Sequence, residues 1–263
     1  MSEPTDCRYV WAVIFLLLRQ QRDLLVSPQI ANEGSTGTVV IVTGEDIFCA
    51  NIGDSDAVLF SRHPPHRIPQ AVSPSHETGE QNKLLSGLKH ERLTVTDTPL
   101  VDEENEDFLR IRKIAQARQS HPKAYEAPRN GILVNDKASR FNYVAIPGAR
   151  SLNMTRAFGN LGHKVMRDGS LVEDESPIVS RPHVVHILRT PEMHSIVVGS
   201  DGLWDNVDLD DIEAVAFRLG DPQTIAASKS AVKELLRLSV ASKRKPDDIA
   251  IVFIPLPDVG IVP

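Results

Sequence analysis

The chain has 263 residues, of which 41% are hydrophobic and 24% charged, proportions of a globular protein that exclude a disordered chain, a fibrous repeat and a polytopic membrane protein. Its 35 acidic residues outnumber 29 basic ones for a net charge of −6, which excludes a general nucleic-acid binder and makes carboxylates available to hard cations. The length allows one large domain or two small ones.

Residues 9–18, YVWAVIFLLL, form the most apolar stretch. It is too short to span a bilayer, so no membrane span is expected. It reads as the core of a helix over 8–26 that ends before Ser27-Pro28; a secretory signal is the alternative. Cys7 and Cys49 are the only cysteines. Two thiols cannot build a disulfide framework or a four-ligand zinc site. Cys49 lies in the apolar run Ile47-Phe48-Cys49-Ala50 and reads as a reduced core thiol, which points to a cytoplasmic or nuclear protein.

After Gly34-Ser35-Thr36-Gly37, the run Thr38-Val39-Val40-Ile41-Val42 predicts a buried strand. Residues 47–51 and 57–60 predict two more, joined by tight turns at Gly44-Glu45-Asp46 and Gly53-Asp54-Ser55. The three are expected to form an antiparallel meander. From 62 to 147 the pattern loosens. Prolines 64, 65, 69 and 74 argue against regular structure at its start. The acidic run 102–107 reads as a solvated loop and helix start, with the helix continuing through Arg118. This stretch is expected to be an elaborated loop region or insertion within a single domain, 1–263.

Residues 183–188 and 195–199 predict paired strands around Thr190-Pro191-Glu192. A helix is expected over 208–219, its Leu209, Ile212, Ala216 and Leu219 facing inward and Gly220 ending it. Asp221-Pro222 then carries the cap and first-turn residues of another helix, with Ile225, Val232, Leu235, Leu236 and Ser239 expected inside. A last apolar strand covers 249–255.

The chemistry concentrates at two strand ends. In Ser200-Asp201-Gly202-Leu203-Trp204-Asp205 a strand delivers an aspartate and a glycine lets the chain turn. If the chain coils there, Asp205 returns one helical turn later beside Asp201. An Asp-Gly turn with Asp205 as a helix cap is the alternative. In Lys245-Pro246-Asp247-Asp248 a second strand begins with two carboxylates. Together they suit oxygen ligation of magnesium or manganese.

Four segments resemble the signatures of the metal-dependent 2C-type (PPM family) Ser/Thr protein phosphatases, in that family's order. They are GSTGTVVIVTGEDIFCANIGDSDAVLFSR at 34–62, SLNMTRAFGN at 151–160, SIVVGSDGLWDNVDLDDI at 195–212 and PDDIAIVFI at 246–254. The resemblance implies an α+β fold, a four-layer αββα sandwich of two antiparallel sheets flanked by helices. It implies hydrolysis of phosphoserine and phosphothreonine in proteins by water activated between two Mg2+ or Mn2+ ions. Residue by residue, it implies that Asp201 and Asp247 are metal ligands and that Asp205 serves a weaker additional metal. Asp248 is a possible further ligand. Gly202 permits the turn, and Asp54 and Arg156 hold the hairpin and the site loops.

Departures from the family pattern matter equally. Its Asp-Gly-His-Gly element has no match, since neither Asp168-Gly169 nor Asp201-Gly202 is followed by histidine. Upstream of Gly34 the only carboxylates are Glu3, Asp6, Asp23 and Glu33, and the family's phosphate-binding arginine has no counterpart. Asn160 and Asp248 stand where the family carries Asp and Asn. The chain is therefore expected to begin inside the family's domain, to lack its first strands, and to hold one cation or none. Weak or absent hydrolysis is expected, with poor solubility unless a partner protein covers exposed strand edges. A pseudophosphatase that binds phosphoproteins or regulates a partner is the alternative. No phosphate-binding Gly-x-x-x-x-Gly-Lys loop, Gly-x-Ser-x-Gly elbow or His-Glu-x-x-His helix occurs.

Overall fold

A computed structural model describes residues 33–62, 70–71, 107, 110, 114, 133–136, 141–144, 152–168, 170–219, 224–242, 244 and 247–257. The expected helix over 8–26 and most of 62–147 lie outside these residues. In chain order the strands are β1 (Gly34–Ser35), β2 (Gly37–Val42), β3 (Asp46–Ile52), β4 (Asp56–Ser61), β5 (Gln70–Ala71), β6 (Leu133–Asp136) and β7 (Phe141–Val144). They continue with β8 (Phe158–Gly159), β9 (Met166–Arg167), β10 (Ser170–Leu171), β11 (His183–Leu188), β12 (Met193–Gly199) and β13 (Ile251–Pro255). Helices α1 (Asp201–Trp204), α2 (Leu209–Leu219) and α3 (Ile225–Ser242) lie between β12 and β13. No helix of the described residues is long and apolar enough to cross a membrane.

Two compact units divide the chain, one covering 1–37, 76–82 and 96–182, the other 38–75, 83–95 and 183–263. The second unit contains a three-stranded sheet ordered β11-β3-β2 and a four-stranded sheet ordered β13-β12-β4-β5. Alternate residues of β4 separate its two cores, as a period of two requires. Ala57 and Leu59 join Ile47, Cys49, Ile187 and Ile196 between the sheets. Val58 and Phe60 join Val197, Phe253 and the inward residues of α2 and α3. The unit is thus layered sheet, sheet, helix. Cys49 is buried between the sheets, and burial, with the Asp56 charge nearby, pushes its thiol up to about 12.

The pairings differ from the expected meander. β3 pairs with β2 and β11, whereas β4 pairs with β12 and β5. The chain changes sheet at Gly53-Asp54-Ser55, where Gly53 adopts φ 96, a backbone conformation that side chains disfavour. Nor do β11 and β12 pair with each other: each belongs to a different sheet. The physical reason is burial on both faces. β3 and β4 are buried almost throughout, which a single one-faced meander cannot provide. β5 also forms directly after Pro69, pairing Gln70 with Leu59, as an edge strand can.

Within α2, Ile212, Val215 and Ala216 are buried. α3 begins at Ile225, where the Thr224 hydroxyl accepts a hydrogen bond from the Ala227 amide; Asp221-Pro222 lies outside the described residues. Its buried face is Ala231, Leu235 and Ser239. Ile225 and Leu236, expected inside, are 77% and 42% exposed. Leu235 and Ser239 are inside as expected, with Val232 packed against the core, and Ser239 donates to the Gly202 carbonyl at 2.6 Å.

The first unit is built from the hairpins β6-β7 and β9-β10, the pair β1-β8, and a small core of Ile114, Val144, Ala157 and Ile178. Asp107 is fully buried, which corrects, for this residue, the reading of 102–107 as a solvated loop and helix start. One carboxylate oxygen accepts from Arg110 Nη1 at 2.5 Å. The other accepts from Arg156 Nε and the Thr155 hydroxyl, both at 2.8 Å. Arg110 also donates to the Ser176 carbonyl, and Arg156 to that of Arg181. A buried charge persists where it is paired and hydrogen-bonded. Asn160, the departure in the TRAFGN segment, adopts φ 47 and ψ 49, the left-handed region that asparagine tolerates.

Lys164 is buried in the same unit, donating to the Ala157 carbonyl at 2.8 Å and to the Ser180 hydroxyl. Burial lowers its pKa from 10.5 to about 7, with Glu173 opposing. Between those values the folded chain binds fewer protons than the unfolded one, so stability rises with pH through that window. Cys49 acts oppositely, but only above its ordinary 9.0. The thermal midpoint is expected to rise between pH 7 and 9, and Lys164→Met to flatten that rise. An unchanged slope in the variant would refute the assignment.

Candidate functional site

Strand register brings the sequence-predicted residues of the second unit to one end of its four-stranded sheet. Gly199 pairs with Asp56 on one side and Ile251 on the other. The turn carrying Asp54, the α1 turn carrying Asp201 and Asp205, and the segment carrying Asp247 and Asp248 therefore adjoin. Arg156 belongs to the first unit and takes part in the buried ion network there.

Several bonds fix the α1 turn. The Ser200 amide donates to the Ala250 carbonyl at 3.0 Å. The Ser200 hydroxyl donates to the Asp248 carbonyl at 3.1 Å and accepts from the Ala250 amide at 3.0 Å. Gly202 packs so closely that a Cβ there would stand 2.3 Å from the Asp248 carbonyl oxygen. Its own carbonyl accepts from Asn206 Nδ2 at 2.9 Å as well as from Ser239. Trp204 Nε1 donates to the Gly199 carbonyl at 2.8 Å. The Asp205 amide bonds the Asp201 carbonyl at 2.8 Å, so the chain coils after the glycine and the two aspartates stand one turn apart.

Asp201 and Asp205 are half-buried, and Asp247 and Asp248 are exposed. The Asp247 carboxylate accepts a 2.9 Å bond from the Asp248 amide. Asp54 is buried beside an interlocked trio: Asn51 Nδ2 donates to Thr38 Oγ1 at 2.9 Å and to the Ser55 carbonyl at 2.8 Å, and the Thr38 hydroxyl donates to that same carbonyl. Among the described residues no three His, Cys, Asp or Glu side chains converge to hold a metal ion. The donors that adjoin are hard oxygens, but those of the described residues do not by themselves complete a cation centre.

Sequence reasoning missed Ser200 and Asp107. Ser200 carries a signal only in hindsight, as a hydroxyl between a buried strand and an Asp-Gly turn. Asp107 carries none, since its neighbours in the run are also acidic.

The sequence profile of protein phosphatase 2C matches residues 15–82 and 129–244. The chain belongs to the protein phosphatase 2C family. A rice relative (Oryza sativa subsp. japonica), "Probable protein phosphatase 2C 64", is 30% identical over 204 residues, covering 78% of this chain and 37% of its own length. In Arabidopsis thaliana, "Probable protein phosphatase 2C 52" is 27% identical, with 83% and 37% covered. The chain thus spans little more than a third of either relative. Two solved structures share the fold. The serine-threonine phosphatase 2C from Toxoplasma gondii matches with a TM-score of 0.59 at 15% identity, covering 93% of this chain and 66% of that one. Phosphatase Stp1 from Staphylococcus aureus gives 0.52 at 14% identity, covering 98% and 71%. The fold of this phosphatase 2C member is therefore α+β, with paired antiparallel sheets and helices. In the second unit the described residues supply both sheets and one helical layer.

Proposed function

We propose that this chain forms a single phosphatase 2C domain, with 62–147 as an elaborated insertion, and that it acts on phosphoserine and phosphothreonine in proteins at a much reduced rate. The observation that carries this reading is the register placing Asp201, Asp205, Asp247 and Asp248 at one sheet end within a chain of this family. Asp201 and Asp247 are the carboxylates assigned to a divalent cation, Mg2+ or Mn2+, with Asp205 and Asp248 as secondary donors. Among the described residues no three His, Cys, Asp or Glu side chains converge there, fewer donors than the two-cation arrangement implied by the family resemblance, and this shortfall supports the reduced rate.

A second reading is a phosphoprotein-binding scaffold without turnover. It is favoured by the absence of three converging donors among the described residues. One assay separates the two. With Mn2+ and a phosphothreonine peptide, hydrolysis is expected at least about tenfold below that of a complete family member, a deficit of roughly 1.4 kcal/mol or more in barrier, and Asp201→Asn is expected to abolish the remainder. Rates within that factor would overturn the shortfall. Saturable peptide binding with no hydrolysis would establish the scaffold, and neither binding nor hydrolysis would reject both.

A further inference from the structure

The outward side of α3 carries an unusual mixture. At about 100° per residue, Ile225, Lys229, Lys233, Leu236, Arg237 and Val240 fall within one sector of roughly 120°. Val240 is 67% exposed, more than Leu236 and less than Ile225. Both lysines are exposed. The acid nearest in sequence, Glu234, stands outside the sector and is engaged by Arg237 at 2.8 Å and by Arg218 at 3.7 Å. In a chain of net charge −6, this face is basic and aliphatic, with no acid among the residues α3 contributes to it.

The occupant follows from how the two kinds of residue alternate. A partner helix requires a continuous apolar seam with charges at its flanks, but Lys229 and Lys233 interrupt the line from Ile225 to Leu236. A second copy of the chain would set lysines against lysines. A phospholipid interface accepts both on one sector, because a lysine lays its stem against apolar surface and keeps its charged head level with the phosphates while neighbouring aliphatics enter the acyl boundary. We propose that the α3 face docks peripherally on an anionic phospholipid membrane. Lys229 and Lys233 engage headgroup phosphates while Ile225, Leu236 and Val240 enter the interface. This is independent of whether the aspartate site turns over phosphoproteins.

The test is sedimentation of the full chain with phosphatidylcholine vesicles, with and without about a third phosphatidylserine. Binding is expected to be at least roughly tenfold stronger with phosphatidylserine and to fall as salt shortens the Debye length. Lys229→Glu/Lys233→Glu should remove it. Leu236→Ser/Val240→Ser, which leaves the charge unchanged, should weaken it several-fold. Circular dichroism confirms that each variant is folded, and Lys229→Gln/Lys233→Gln replaces the first if it is not. Equal binding to both vesicles, or wild-type binding by either double variant, overturns the proposal. Binding to polyglutamate but not to vesicles also overturns it and assigns the face to an acidic protein segment.

Discussion

Asp107→Ala is expected to destabilise the first unit by roughly 3–5 kcal/mol, the cost of leaving buried charge without its partner. Arg110 and Arg156 both rest on this one carboxylate, and neither guanidinium has more than slight exposure. Their other bonds go to backbone carbonyls, from Arg110 to Ser176, Thr155 and Pro177 and from Arg156 to Arg181, which solvate a cation but do not neutralise it. Removing one arginine as well should therefore recover part of the loss. In Arg156→Met the further cost of Asp107→Ala should be smaller than in the wild type, as expected of groups in one network. Denaturant unfolding gives the totals. Hydrogen exchange at the Ala157 amide, bonded to the Val179 carbonyl at 3.0 Å, reports this unit specifically. A loss below about 1 kcal/mol would be in the range of an exposed pair and would refute the network.

Gly202→Ala gives the second large effect, and its sign is diagnostic. In an ordinary helical position alanine stabilises by about 1 kcal/mol over glycine. Here the new methyl meets the Asp248 carbonyl oxygen at 2.3 Å and the Ile249 side chain at 3.2 Å. The first obstacle is backbone, so the segment must shift. A net loss of about 1–3 kcal/mol is expected, typical of overpacking. Faster exchange at the Ala250 amide should accompany it, because that amide's bond to the Ser200 hydroxyl lies beside the contact. Unchanged or increased stability would show that the two aspartate-bearing segments are not held together here.

How much of this is legible in the sequence depends on range. The strands over 38–42, 47–51, 183–188 and 195–199 could be read because β-branched runs between turn residues are local signals. Sheet membership could not. Whether β4 lies beside β3 or beside β12 is decided by burial of both faces, and no window of sequence contains that. The coiling of Asp205 back over Asp201 was legible from the glycine between them. Ser200 was not, because its partners at Asp248 and Ala250 are 48 and 50 residues away. The inward face of α3 is legible in part. The stripe places Leu235 and Ser239 inside and Val232 against the core, as found, but also Ile225 and Leu236, which are exposed.

The sheet change at Gly53-Asp54-Ser55 also governs the order in which the second unit can assemble. The β2-β3 pair can begin from its local turn on the microsecond scale, but β3 is closed on its other side only by β11, with Asp46 and His186, 140 residues apart, joined at 2.6 Å. β4 must likewise wait for β12. Each sheet is completed by residues from the last third of the chain, and long loops must close before their contacts stabilise them. Such a topology folds slowly and late. A nascent chain released before β11 has only the local pairs β2-β3 and β4-β5 of these sheets and completes neither.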